Sequence, residues 1–414
     1  MKLYRRNTDA TANNNLNRLL VGPSGSGKTS QLVADIADML DNNESMVIAD
    51  TKKSLYKMIA SDLEEKGYDV NLIDFVSPEN STIGYNPLDT IHINSEGEIN
   101  HLDINSLSDI LVPLDEPRDS FWVNSARDIT GAAIGYVMET FNGRDKDFYS
   151  ALEVLSKIIR ADKNDDSPLD FLKRHNRGYY DSYSAIRYRS FSSVIKAENT
   201  WACVKNFASA YVTRFMTKEY KQLFGNDEKL DFKQLGRKKS VLFLNLSDTD
   251  RSTDRIVSLF YSQLFRTLVE EADGRPEGKL AVPVHIFLDD FASNTVISDF
   301  DKLISTVRSR QISVSLLIQS LSQLETIYTH PQALTIINNC GEMIFLGGTD
   351  FDTVNYVAAR CAVTPERIMA LPRDKVICLE DGKRGEIFDR IPPYSALSRI
   401  RNTGANKIIT EKGA

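Results

Sequence analysis

Apolar positions along the chain fall first into a strand and helix alternation. Leu19, Leu20 and Val21 close a short apolar run, and Gln31 to Leu40 repeats Leu32, Ile36 and Leu40 at helical spacing. Met46 to Asp50 reads as a buried strand. Ser54 to Lys66 reads as a helix with Leu55, Ile59 and Leu63 on one face, and Val70 to Phe75 as another strand. Gly84-Tyr85-Asn86-Pro87 breaks the pattern. From His101 to about Phe224 helix follows helix: Asp119 to Thr140, Phe148 to Ile159 and Val194 to Phe215 are amphipathic, and no strand is expected between Asn100 and Leu230.

Strands resume with the apolar run Val241 to Leu246, followed by a helix from about Thr253 to Ala272. Val284 to Leu288, Val314 to Ile318, Met343 to Leu346 and Val376 to Leu379 read as further strands. Strands alternating with helices in this way predict an α/β fold whose central sheet is mostly parallel and covered on both faces. The helical stretch is then an insertion. Residues 1–100 and 230–414 form the α/β domain, 101–229 the all-α insertion, and the polar segment after Tyr394 reads as a poorly ordered tail.

Composition narrows the class. With 42% hydrophobic and 26% charged residues over 414 positions, this is the make-up of a soluble globular protein. Cys203, Cys340, Cys361 and Cys378 are widely separated and form no CxxC pair, which favours free thiols in a reducing compartment over a zinc site. No apolar run approaches the ~20 residues that span a bilayer, so the chain reads as cytoplasmic. A net charge of −7 makes any nucleic-acid contact local.

Candidate chemistry begins at Gly22-Pro23-Ser24-Gly25-Ser26-Gly27-Lys28-Thr29, a complete phosphate-binding loop between a strand and a helix. Its glycines let successive backbone N–H groups turn around a phosphate. Lys28 supplies a charge for the β- and γ-phosphates, and the Thr29 hydroxyl suits Mg²⁺. ATP and Mg²⁺ are the implied cofactors. Asp289 and Asp290 close the strand ending at Leu288. The first would hold Mg²⁺ through water, and the second would orient or deprotonate the attacking water. Gln319 ends another apolar strand, where a polar side chain could sense the γ-phosphate; an ordinary strand-terminal role fits as well. Arg308 and Arg310, at the end of a helix expected over 301–310, read on their own as a solvated helix end. His285 inside a buried strand reads as a hydrogen-bonded core histidine. In the insertion, Tyr179, Tyr180, Tyr183, Arg187, Tyr188, Arg189 and Phe191 interleave rings and charges. That mixture suits single-stranded DNA, although packing between helices is the commoner use of any one ring.

These segments together resemble the coupling-protein ATPases of type IV secretion and conjugation systems, collinearly from about Leu19 to Tyr394. The matching stretches are GPSGSGKT, MVIAD, the NP of GYNPLD, FWVNSAR, LSDTDRSTDRIVSLFYSQLF, FLDDFAS, STVRSRQISVSLLIQSLSQL and NNCGEMIFLGG. The resemblance implies a RecA-like P-loop NTPase assembled as a homo-hexamer, with the insertion as a cap toward substrate. Lys28 and Thr29 become the phosphate and Mg²⁺ residues, Asp289 the Mg²⁺-associated acid, Arg308 a finger acting in trans, and Gln319 the sensor. It implies recruitment of a relaxase-bound DNA strand, delivery to a secretion channel, and a place at the inner face of the cell membrane. Three departures stand out. Asp290 replaces the usual Glu, Asp50-Thr51-Lys52-Lys53 replaces Asp-Pro-Lys-Gly, and only Met1 to Asn17 precede the domain. The last implies a removed anchor or a separate small membrane-anchor subunit. Two alternatives remain open at this point: a soluble DNA-translocating ATPase outside secretion, and a nucleotide-gated adaptor with negligible turnover.

Overall fold

In the computed structural model, residues 4, 15–51, 53–114, 117–247, 249–291 and 296–402 are described. The chain divides into two compact units, one of residues 1–76, 231–251 and 264–414, the other of residues 77–230 and 252–263.

The first unit is built on nine strands: β1 (Arg18–Val21), β2 (Ser45–Asp50), β3 (Asp69–Asp74), β4 (Ser240–Asn245), β5 (Val284–Leu288), β6 (Ile312–Ile318), β7 (Glu342–Phe345), β8 (Lys375–Glu380) and β9 (Glu386–Asp389). They form one sheet in the order β3-β4-β2-β5-β6-β1-β7-β8-β9. Every pairing from β3 to β7 is parallel, and β8 and β9 pair antiparallel. β1, β2, β4, β5 and β6 are buried throughout, which is why they read as unbroken apolar runs. Leu20, Ile48, Phe243, Phe287, Leu317 and Ile344 lie in one core cluster with Leu32 and Ile36 of the helix Lys28–Met39 and Ile59 and Leu63 of the helix Ser54–Glu65. Each fully buried side chain of this size contributes about 1.5–3 kcal/mol. His285 is fully buried, with its ring nitrogens 2.5 Å from Ser313 Oγ and 2.8 Å from Ser315 Oγ, the core role expected of it.

Two features of this unit depart from the sequence reading. β9 was not expected, and the segment read as a tail from Tyr394 is instead a helix, Pro393–Asn402. Ala396 and Ile400 bury completely on the core, while Arg399 pairs with Asp38 and Arg401 with Asp62 at 3.4 Å. The rest of that predicted tail, 403–414, lies outside the described residues.

The turn after β2 carries Lys53 where the resemblance implies glycine. Asp50 accepts hydrogen bonds from Ser54 N (3.0 Å) and Tyr56 N (2.9 Å), fastening the start of the next helix. Lys53, at the glycine position, holds φ 52°, a left-handed conformation that costs a side-chain-bearing residue about 1–2 kcal/mol. Its ammonium pairs with buried Asp74 at 3.1 Å, an offsetting contact that glycine could not make. Lys52 of this turn lies outside the described residues.

The second unit is helical, and no named strand lies among its described residues. The 21-residue helix Ser120–Thr140 packs against Tyr183–Ser192, Phe148–Ile158 and Glu198–Val212. Gly131 and Gly135 make the first of these crossings close. A Cβ on Gly131 would lie 2.7 Å from the Tyr183 hydroxyl and one on Gly135 2.6 Å from its ring, so only glycine admits that side chain. Asn86 ties the Gly84–Pro87 break to the rest of the unit. Its Oδ1 accepts from Phe148 N (3.0 Å), and its Nδ2 donates to Asp89 Oδ1 (2.6 Å).

Candidate nucleotide site

The sheet order explains how distant residues reach one edge. β6 lies between β1 and β5, so the segments after β1, β5 and β6 leave the sheet side by side at its C-terminal edge. The phosphate loop follows β1, Asp289 and Asp290 follow β5, and Gln319 follows β6. Gly22 N donates to Ile318 O at 3.1 Å, which sets the base of the loop beside Gln319.

Within the loop, Gly25 and Gly27 hold φ values of 74° and 92°, which favour glycine. Gly22 is needed for a different reason. A Cβ there would lie 2.5 Å from Ser26 Oγ and 2.9 Å from Leu346 Cβ. Ser26 N donates to Pro23 O at 3.1 Å and closes the turn. Lys28 is buried and folds over the loop, with Nζ 2.9 Å from Gly22 O. Thr29, Pro23, Ser24 and Gly25 are exposed. The buried Ser26 hydroxyl has no hydrogen-bond partner among the described residues, a bond that a phosphate oxygen could supply.

Asp289 sits in a strained acidic corner. Burial, then the Asp290 carboxylate, pushes its pKa from 3.8 up to about 6, with Asp50 adding in the same direction and Lys28 opposing. Asp290 holds φ 46°, and its N–H donates to Asp289 Oδ1 at 3.1 Å. A carboxylate that burial and a like charge make costly to ionise gains from a divalent cation beside it, and with Lys28 and Thr29 it suits a magnesium-bound triphosphate.

A stability consequence follows. Because the folded pKa exceeds the unfolded one, the folded state retains a proton on Asp289 between about pH 4 and pH 6, and stability falls as pH rises through that window. Asp289→Asn should stabilise the nucleotide-free protein above pH 6 by up to about 3 kcal/mol, with the gain disappearing near pH 4. Urea unfolding at pH 4.5 and 7.5 checks this. A variant less stable than wild type at the higher pH contradicts it.

Gln319 is exposed, and its backbone N–H is held by Gln323 Oε1 at 2.9 Å. Arg308 is placed elsewhere. The expected helix ends at Thr306, and Arg308 begins a short 3₁₀ turn (Arg308–Arg310) ahead of β6, at the opposite edge of the sheet from the loop. Seven residues of β6 separate the two edges by about 20 Å. Arg308 is exposed there, and Arg310 is engaged with Asp273 at 2.7 and 2.9 Å.

Sequence reasoning missed Arg390. It follows β9, and its guanidinium reaches back to the loop, donating to Ser26 O, to Leu346 O (2.5 Å) and to Lys375 O (2.9 Å). A contact across 364 positions leaves no local signature.

In the helical unit the ring and charge cluster divides. Tyr183 and Phe191 are buried; Tyr183 bonds Asn105 at 2.7 Å and Phe191 stacks on Trp201. Arg187 is engaged with Asp128 and Asn105. Tyr179 and Tyr180 remain exposed at 66% and 61%, and the Arg189 guanidinium lies 3.7 Å from the centre of the Tyr180 ring.

A family model for type IV secretory system conjugative DNA transfer matches residues 2–366. The chain belongs to that family. Its fold is that of solved members of the P-loop class. The bacterial conjugative coupling protein TrwBdeltaN70 in its unbound form superposes with a TM-score of 0.66 at 15% identity, covering 91% of this chain and 84% of that one. TrwB in complex with ADP and Mg²⁺ gives 0.64 at 15% identity over 92% and 86%. VirB4 of Thermoanaerobacter pseudethanolicus gives 0.56 at 12% over 94% and 92%. At these identities the likeness establishes a RecA-like P-loop NTPase fold. A search of curated proteins finds no match. Among the described residues no helix is long and apolar enough to cross a membrane.

Proposed function

We propose that this chain is an ATP-hydrolysing coupling protein that recruits a relaxase-bound DNA strand and drives it to a type IV secretion channel. The observation carrying the proposal is the convergence of the phosphate loop, Asp289 and Gln319 on one sheet edge in a chain of the conjugative transfer family. Gly22 to Thr29 wrap the phosphates, and Lys28 exchanges the Gly22 carbonyl for a γ-phosphate oxygen. Thr29 and Asp289 hold the Mg²⁺ that TrwB carries with ADP. The metal supplies charge neutralisation on the transferring phosphoryl group. Asp290 orients the attacking water, and Gln319 reports the presence of the γ-phosphate to the rest of the chain. Arg308, being at the far edge, serves the site of a neighbouring copy, which makes a ring, and a homo-hexamer, the working assembly. Tyr179 and Tyr180 offer exposed rings to single-stranded DNA, with the half-buried Arg189 supplying charge beside Tyr180. The chain would work at the inner face of the cell membrane, held there with the help of a partner subunit.

A second reading is favoured by Asp290 alone. Its side chain is one methylene shorter than the usual Glu and springs from a left-handed backbone, which suits a nucleotide-gated adaptor with negligible turnover. Asp290→Asn distinguishes the two. If Asp290 positions water, the variant loses most of kcat while its ATP affinity stays near wild type, because that interaction is made in the transition state. Equal turnover in Asp290→Asn and wild type removes Asp290 from the mechanism.

A further inference from the structure

We infer that Arg390 is a positioning residue for nucleotide binding: from the C-terminal hairpin it clamps the phosphate loop from behind and so aims the loop's amide donors at the nucleotide's phosphates. The inference rests on the nucleotide reading above and deepens it, since Arg390 lies beyond the stretch 2–366 that the family model matches.

The geometry is that of a fork across two walls. Leu346 N donates to Val21 O at 2.8 Å, so the end of β7 runs alongside the strand that launches the loop. Leu346 Cβ already lies against Gly22. One guanidinium nitrogen of Arg390 holds the Leu346 carbonyl, and another holds that of Ser26 inside the loop. A trans peptide directs its C=O and the following N–H to opposite sides. Drawing the Ser26 carbonyl toward Arg390 therefore turns the Gly27 N–H away from the arginine and fixes the direction of that amide donor. Arg390 itself is anchored, with Nε on Lys375 O and its backbone N–H on Asp374 O at 2.9 Å.

Charge gives the second line of argument. All three side-chain contacts go to neutral carbonyls. The acid that acts on Arg390, Asp374, is itself exposed and lies 3.8 Å from Lys375. Burial lowers the arginine's pKa from its ordinary value. A guanidinium so far above neutral pH stays charged, and here its charge is offset mainly by carbonyl dipoles. Its Nη1 lies 3.3 Å from where a Gly27 Cβ would stand, against the residue that immediately precedes Lys28. That charge sits behind the Ser26 peptide, on the side opposite the Gly27 N–H, so it acts on phosphates held by the loop at longer range and not by direct contact.

The test measures equilibrium binding of MgATP, MgADP and AMP to the full chain, with steady-state kinetics beside it. Arg390→Ala should raise the Kd for MgATP about tenfold or more, the scale of a lost charged hydrogen bond. The loss should be smaller for MgADP and smallest for AMP, while kcat at saturating ATP stays within about threefold. Arg390→Lys keeps the charge and loses the fork, so it should fall between, at about threefold. A purely structural role would instead lower the unfolding midpoint and weaken all three nucleotides alike. If Arg390→Ala does not fold, Arg390→Lys decides: a raised Kd supports the clamp, and a wild-type Kd overturns it. Wild-type affinity for MgATP in folded Arg390→Ala overturns the inference and leaves the nucleotide site standing. Failure of the wild-type chain to bind nucleotide overturns both.

Discussion

Lys28→Ala should lower ATP turnover at least about a hundredfold and weaken nucleotide binding as well. Lys28 lies over the loop with its ammonium on the Gly22 carbonyl, at the place where the phosphates would be held. Removing it takes a charge from the transferring phosphoryl group. It also takes away the group that opposes the upward push on Asp289, so the acid should ionise at a still higher pH in the variant. The two effects can be separated. Turnover should stay low at every pH, whereas proton uptake by the nucleotide-free protein should move upward. A Lys28→Ala protein that hydrolyses ATP at the wild-type rate would falsify the site.

The second large effect belongs to Arg308. Its position at the far edge of the sheet keeps it about 20 Å from the loop of its own chain, so a catalytic role requires a neighbour. Arg308→Ala should bind ATP normally and turn over about 10³-fold more slowly, the scale set by arginine fingers in GTPases. Mixing Arg308→Ala with Lys28→Ala should restore part of the activity, because some interfaces then join an intact loop to an intact Arg308. A mixture that assembles and stays as inactive as its components would return Arg308 to the role of a solvated side chain.

Much of the sheet was legible because its strands are buried on both faces. Runs such as VLFLNL and VHIFL admit few other readings, and the observed strands differ from expectation by one or two residues at most ends. The phosphate loop was legible because its chemistry is local: glycines, Lys28 and Thr29 occupy consecutive positions between a strand and a helix. Where the reading failed, the information was tertiary. β9 has four residues and lies at the sheet edge, with little of its surface buried. The helix Pro393–Asn402 is mostly polar, and only Ala396 and Ile400 bury completely, so its stripe was too narrow to stand out from a tail. The turn at Lys53 shows another limit, since no local signal announces that this lysine takes a left-handed backbone with an ion pair to Asp74 beside it. Arg390 depends on β9, since that strand and the chain reversal before it bring the residue to Ser26.

The most direct measurement is the steady-state rate of MgATP hydrolysis by the full chain, followed over a range of protein concentrations with and without single-stranded DNA, with Lys28→Ala as the background. The account predicts turnover well above that background, rising more than linearly with protein concentration and increasing further with DNA. Nucleotide binding with no turnover above Lys28→Ala at any concentration, with or without DNA, would contradict it.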